Sequence, residues 1–419
     1  MKNRKELRNQ VIYQIFVRQY SETHDFNGVI KDLDRIKEMG VDIIYLLPFY
    51  PIGKLNRKGS IGSPYSIVDY KEVDPLNGTV SDLKVLIDET HQRGMKIIID
   101  MVLNHTARDS KFVNESLDYM YLVDGKICNK VGDWSDVADI NYDNDEVIEK
   151  IIDALEYWVK LGIDGYRMDV CSMIPSHFWD KAFKRLSLIN DDLIMLGESI
   201  DKDFVLYLRS LGHTGLSDSE AYLHFDALYP YDIRAYQEDF VYHKKNLDKW
   251  LFEVKNQQAI YPNDFVKARY LSNHDIDRVG MYYKGSDLET IWALNFFLPG
   301  MTFIYAGDEF GEDIRQTLFE IEEIDWNKKN YDLTKLFTKL SEIKKEEVYR
   351  EGFFDYQVIG DIAILKYTYK DNVSYGIFNF GTPTKIKLDL DCGKYCDKIS
   401  GKEVVVKDGL IKIDDFIII

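Results

Sequence analysis

The stretch Lys96-Ile97-Ile98-Ile99-Asp100-Met101-Val102-Leu103-Asn104-His105 decides the fold. Its three consecutive isoleucines leave no polar face, as a parallel strand covered on both sides requires. The same kind of run recurs in both directions along the chain, separated by stretches of helical period. Strands are predicted at 11–17, 42–49, 96–103, 165–170, 193–199, 221–226, 268–275 and 302–309. Helices are predicted at 28–39, 81–93, 145–161, 176–189, 204–211, 288–298 and 333–350. In 145–161, Val147, Ile151, Ile152, Leu155, Trp158 and Val159 recur at three- and four-residue steps, one face of a helix. Eight strands alternating with helices predict an α/β protein built on a (β/α)8 TIM barrel. An open doubly wound sheet shares that alternation.

Two connections are long for a compact domain, 104–140 after the third strand and 227–267 after the sixth. The first is expected to be a small inserted subdomain. From residue 353 the pattern changes to alternating runs such as Ile362-Ala363-Ile364-Leu365 and Tyr375-Gly376-Ile377-Phe378, divided by turns such as Lys370-Asp371-Asn372. That predicts a C-terminal antiparallel β-sandwich. The expected division is a barrel over 1–103 and 141–352, a subdomain over 104–140 and a sandwich over 353–419.

Composition narrows the function. The 419 residues are 45% hydrophobic and 30% charged, which is globular. Lys and Arg number 53 against 71 Asp and Glu, a net charge of −18. So acidic a chain is a poor partner for nucleic acid or an anionic membrane. Four cysteines make no disulfide framework, and a reduced Cys392–Cys396 pair is expected. The polar start and the lack of any run near 20 apolar residues predict a cytoplasmic protein. Oligomeric state is not readable from the sequence. The run Lys344-Lys345-Glu346-Glu347 reads as a solvated helix face.

A parallel barrel carries its chemistry at the C-terminal ends of its strands. There the chain places Asp100 through Asn104-His105, Arg167 and Asp169, Glu198, and Asn273-His274-Asp275. No G-x-G-x-x-G or G-x-x-x-x-G-K-[ST] accompanies them. Carboxylates with an arginine, and no cysteine nucleophile or phosphate loop, suit glycoside hydrolysis. That reaction needs one carboxylate at the anomeric carbon and one carboxylic acid for the leaving oxygen. Arg167 lies two residues before Asp169, on the same face of its strand, and is expected to keep Asp169 ionised. Glu198, nearer other carboxylates, is expected to hold its proton more tightly.

The stretches D-M-V-L-N-H (100–105), G-Y-R-M-D (165–169), G-E (197–198) and N-H-D (273–275) resemble, in order, the four signature regions of the α-amylase family of glycoside hydrolases. Ser63-Pro64-Tyr65-Ser66, Asp139-Ile140-Asn141 and Gly307-Asp308-Glu309 extend the resemblance over essentially the whole chain. It implies a retaining α-glycosidase acting on malto-oligosaccharides or related α-glucans. Asp169 would be the nucleophile, Glu198 the general acid and then base, and Asp275 the third carboxylate on the reacting sugar. Asp100, Arg167, His105, His274 and Arg278 would bind or order substrate, and Tyr65 would be a stacking platform. Tyr50, Trp134 and Tyr229 are further aromatic candidates.

The resemblance also marks departures. Ser66 stands where exo-acting α-glucosidases carry an Asp, and Ser172-Met173 where endo-amylases carry Lys-His. Asn104 and Asp139 match calcium ligands of many relatives, so a structural calcium is the one ion implied; two side chains fall short of the roughly six to eight oxygens calcium takes. Their alternative role is to hydrogen-bond the loop, and the reaction itself requires no cofactor. Ser21-Glu22-Thr23-His24-Asp25 lacks an Asp-rich calcium motif, and Asp25 reads as a helix cap. Two other functions stay open: a transglycosylase or phosphorylase acting on sucrose or maltose through the same intermediate, and a non-catalytic carbohydrate-binding relative.

Overall fold

The computed structural model describes residues 4–132 and 134–419. Eight parallel strands form the centre: β1 (Val11–Ile15), β2 (Ile43–Leu46), β3 (Lys96–Met101), β4 (Gly165–Met168), β5 (Ile194–Gly197), β6 (Ala227–Leu228), β7 (Ala268–Arg269) and β8 (Met301–Tyr305). Each pairs with its chain neighbour, β1 pairs with β8, and a parallel bridge from Leu228 to Lys267 joins β6 to the start of β7. The ring is a barrel, not an open sheet.

The two-residue period of each strand sorts its side chains. Ile12, Ile43, Tyr45, Ile98, Ala227 and Phe303 share an inner apolar cluster. The alternate residues Val11, Tyr13, Ile44, Ile97, Ile99, Tyr166 and Met168 join the larger cluster between strands and helices. Two residues beyond Ile12, Ile98 and Gly165, the inner face turns polar with Gln14, Asp100 and Arg167, all buried. Gly165 itself has φ +152°, and a Cβ there would lie 2.0 Å from the Ile194 carbonyl oxygen. Only glycine lets β4 start so close to β5.

The helix Asp145–Leu161 spans the predicted range. Asn144 caps it through the Glu146 and Val147 N–H groups, and Gly162 ends it in the left-handed region. Asp25 accepts from the Gly28 N–H at 3.1 Å, as a cap.

Three readings are corrected. The sixth strand is Ala227–Leu228, not 221–226: Ser217 and Glu220 form a capping box that starts the helix Asp218–Ala221, and Tyr222 and Phe225 pack after it. The seventh strand pairs only over Ala268–Arg269, so Asn273–Asp275 lie on its following loop. Lys344 is not solvated; its ammonium donates to the Phe296 and Leu298 carbonyls at 2.8 and 3.3 Å. These are the end of the helix Gly285–Phe297, and burial pushes the lysine down to about 7.

After β3, residues His105–Ala107 pair antiparallel with Val137–Asp139, which sets His105 opposite Asp139. Between them lie a helix (Lys111–Glu115) and a short hairpin (122–127). At the C-terminus, Phe353–Ile359, Ile362–Tyr369, Asn372–Asn379 and Phe416–Ile418 form a four-stranded antiparallel sheet. Ile364 and Ile377 from that sheet pack on Ile386, Ile411 and Ile413 of a facing strand pair, which makes a sandwich. Among the described residues no helix is long and apolar enough to cross a membrane.

Candidate active site

At the C-terminal mouth of the barrel lies a cavity of about 230 Å³. Tyr65, His105, Trp134, Asp169, Glu198 and Asp275 line it, together with Lys58, Asp136, Leu318 and Phe319. Three carboxylates from the loops after β4, β5 and β7 therefore open into one space.

Beneath them Arg167 is fully buried and touches three carboxylates. One terminal nitrogen lies 3.0 and 3.1 Å from the Asp100 oxygens and 2.8 Å from Asp169 Oδ1; the other lies 2.8 Å from Glu198 Oε1. Its guanidinium sits over the Tyr65 and Tyr229 rings, 5.8 and 5.6 Å from their centroids. Asp100 also accepts from Tyr45 Oη at 2.5 Å and Tyr65 Oη at 3.2 Å. Glu198 Oε2 accepts the Val170 N–H at 2.9 Å. To present that N–H, Val170 adopts φ +35°, ψ 46°, a conformation that β-branched residues rarely take.

The electrostatics follow. Burial pushes the Asp169 carboxyl up; Arg167 opposes this, and Glu198 and Asp100 add to the rise. Burial likewise pushes Asp100 up to about 6, against Arg167 and the Tyr45 hydroxyl. The expectation that Arg167 singles out Asp169 as the ionised partner is thus corrected. The guanidinium is shared among three carboxylates, and one positive charge does not neutralise them. A cluster of this kind keeps a proton that belongs to the group as a whole.

His274 is buried. Its Nδ1 meets Gln14 Nε2 at 2.9 Å, and its Nε2 meets Tyr65 Oη at 2.5 Å and Asp275 Oδ2 at 3.2 Å. Burial, reinforced by Arg167, pushes it down to about 3, so the ring is neutral. With Gln14 donating to Nδ1, Nε2 carries the hydrogen and donates to Tyr65, whose hydroxyl donates to Asp100. His274 and Asp100 thus hold the Tyr65 hydroxyl, and neither lines the cavity. His105 does line it, 5.3 Å from the Trp134 ring, and burial pushes it down to about 4.

Arg278 lies elsewhere. It is fully buried, bonded to Asp308 at 3.2 Å and Gln316 at 2.9 Å, and stacked 3.7 Å over Tyr305. It ties the loops after β7 and β8 together and does not reach the cavity. Tyr50, with its hydroxyl on the Asp100 carbonyl at 2.9 Å, and Tyr229 are also buried. Of the three aromatic candidates, Trp134 alone lines the cavity. Lys58, Asp136 and Phe319 went unread in the sequence because they sit on irregular loops with no period to mark them.

Asn104 and Asp139, the implied calcium ligands, offer one unengaged side-chain oxygen between them. Asp139 already accepts from the Lys130 N–H at 2.8 Å and Asn129 Nδ2 at 3.1 Å. The Lys130 ammonium lies beside them, 3.4 Å from the Ile140 carbonyl. Asn104 Oδ1 is buried without a donor, but one orphan oxygen falls far short of six. No cluster of three His, Cys, Asp or Glu suited to a metal occurs among the described residues.

A closed parallel barrel with an insert after β3, a C-terminal sandwich and a carboxylate cluster around one buried arginine defines a class of carbohydrate-active barrel proteins. This chain belongs to the α-amylase family: the alpha amylase catalytic-domain model matches residues 14–135 and 131–353, and the bacterial alpha amylase C-terminal domain model matches 358–419. The crystal structure of an alpha-amylase from Lactobacillus plantarum is 36% identical, with a TM-score of 0.95 over 99% of both chains. That of a maltogenic alpha-amylase, AmyB, from Thermotoga neapolitana is 28% identical, with a TM-score of 0.86 over 98% of both. Alpha-amylase 3 of Dictyoglomus thermophilum is 27% identical over 73% of this chain, which spans 64% of that protein's length. An oligo-1,6-glucosidase of Parageobacillus thermoglucosidasius is 24% identical over 72% of this chain, which spans 65% of it.

Proposed function

We propose that this protein hydrolyses α-glucosidic bonds in malto-oligosaccharides and related α-glucans with retention of configuration. The observation that carries this reading is the attachment of Asp169 and Glu198, on adjacent strands, to opposite prongs of one guanidinium above which both open into a cavity shared with Asp275. Asp169 attacks the anomeric carbon while Glu198 gives a proton to the glycosidic oxygen, so the C–O bond breaks and a β-glycosyl ester forms. Glu198 then takes a proton from water, which attacks the same carbon and releases Asp169. Asp275, 39% exposed and facing the cavity, holds hydroxyls of the distorted ring. Tyr65 stacks on that ring, and His105 hydrogen-bonds it.

The free state of all four cysteines supports placing the enzyme in the cytoplasm. Proton NMR of maltotriose digestion tests the chemistry. The α-anomer is expected to appear first, and Asp169→Asn is expected to lose roughly 10⁴-fold or more in kcat while still binding sugar. A β-anomer appearing first, or full turnover by the variant, overturns the nucleophile assignment.

A further inference from the structure

Part of the cavity wall is built by loops and carries its own ion pair. Lys58 Nζ lies 2.9 Å from Asp136 Oδ1; the lysine side chain is 36% exposed and the aspartate 4%. Both line the same cavity as Asp169 and Glu198. Asp136 is fixed through its backbone, whose carbonyl accepts from Ser66 Oγ at 3.0 Å.

The loop carrying Lys58 is a bridge. At one end Lys54 N–H and Asn56 Nδ2 donate to Asp109 and to the Ser135 carbonyl, at 2.8 and 3.1 Å, on the inserted subdomain. At the other, Ser60 N–H donates to Glu320 Oε1 at 2.9 Å and Ile61 N–H to the Phe319 carbonyl at 3.1 Å, on the loop after β8. The bridge therefore spans the mouth from the insert after β3, over β2 and β1, to the loop after β8. In a ring of eight strands the middle of that span, β1, faces β5. A general acid stands beside the leaving part of its substrate, here at β5. The reacting ring's non-reducing end therefore points away from β5, toward the bridge.

We infer that Lys58 and Asp136 form a clamp for the non-reducing terminus of the substrate, so that this enzyme works from α-glucan chain ends rather than at internal bonds. The clamp offers an ammonium donor and a carboxylate acceptor, a pair that matches the vicinal hydroxyls of a terminal ring. The inference rests on the hydrolase reading above.

The test compares 4-nitrophenyl α-maltoheptaoside with the same compound whose terminal ring carries a 4,6-O-ethylidene cap, by chromatography of the nitrophenyl-bearing fragments. The wild type is expected to prefer the uncapped chain by about 100-fold in kcat/KM, because a site built for hydroxyls rejects a blocked one. Lys58→Met and Asp136→Asn are expected to raise KM for the uncapped chain by about 10-fold and to bring the preference down to about 5-fold or less; Lys58→Arg is expected to keep most of it. Equal turnover of both substrates by the wild type overturns the clamp whether or not the variants fold, as does an unchanged preference in folded variants. Turnover of neither by the wild type overturns the hydrolase reading itself, and the clamp with it.

Discussion

The two sides of the barrel mouth are built differently. On one side Asp100 and Arg167 lie within β3 and β4, and Asp169 and Glu198 follow β4 and β5 by one residue, at positions fixed by the strand period and locked around one guanidinium. On the other side Lys58, Asp136 and Phe319 hang on loops tied to one another by hydrogen bonds. The contrast teaches where constraint resides: the groups proposed to react ride on what the barrel cannot move, and the proposed selectivity rides on loops that change without disturbing it.

Breaking the rigid side has the largest expected effect. Arg167→Met removes the cation that Asp100, Asp169 and Glu198 share, and leaves buried charge uncompensated. Urea denaturation at pH 7 should show a loss of about 3–5 kcal/mol, together with loss of turnover. A variant as stable as the wild type would mean that the carboxylates are protonated or solvated without the arginine.

The same division explains what was legible in the sequence. Asp100, Arg167, Asp169 and Glu198 could be read because strands have a period and their ends have an address. The isoleucines of β3 likewise announced a strand buried on both faces. The sixth strand was misread because a two-residue strand leaves almost no period, and the Tyr222 and Phe225 that pack beside the short helix before it imitate one. Arg278 was read as a substrate contact, but Asp308 and Gln316, distant in sequence, capture its guanidinium away from the cavity lining. Lys58 and Asp136 are 78 residues apart on irregular backbone, and nothing short of tertiary structure pairs them.

An intermediate effect sharpens the comparison at His105, which lies between the two sides. Its neighbours include Asp136 and Lys58 from the loop side and Glu198 from the strand side, and burial dominates, lowering it from 6.5 to about 4. The unfolded chain therefore binds more protons than the folded one between these values. Stability from the neutral ring is complete above about 6.5 and is lost as pH falls toward 4. Asp100 acts in the opposite sense, its raised value favouring the folded state at low pH. It is common to wild type and variant and cancels in their difference. The advantage of wild type over His105→Gln in chemical denaturation should shrink by up to about 3 kcal/mol between pH 7 and pH 4. A difference independent of pH would mean that the ring is as solvated in the folded protein as in the unfolded chain.

The smallest expected effect isolates the bridge. Asn56 has φ +58°, and its side-chain amide reaches the Ser135 carbonyl at 3.1 Å. Asn56→Ala would confound two changes, because alanine is strained at that φ. Asn56→Gly keeps the backbone conformation at no steric cost and removes only the side-chain bond to the Ser135 carbonyl. At an exposed position its stability should stay within about 0.5 kcal/mol of wild type. The loop would then keep only the Lys54 and Leu55 N–H bonds to Asp109 at its subdomain end, and the preference for an uncapped chain should fall by a few-fold. If the melting temperature and the preference drop together, the bridge supports the fold. If the preference falls alone, it supports selectivity, as the division between strand and loop requires.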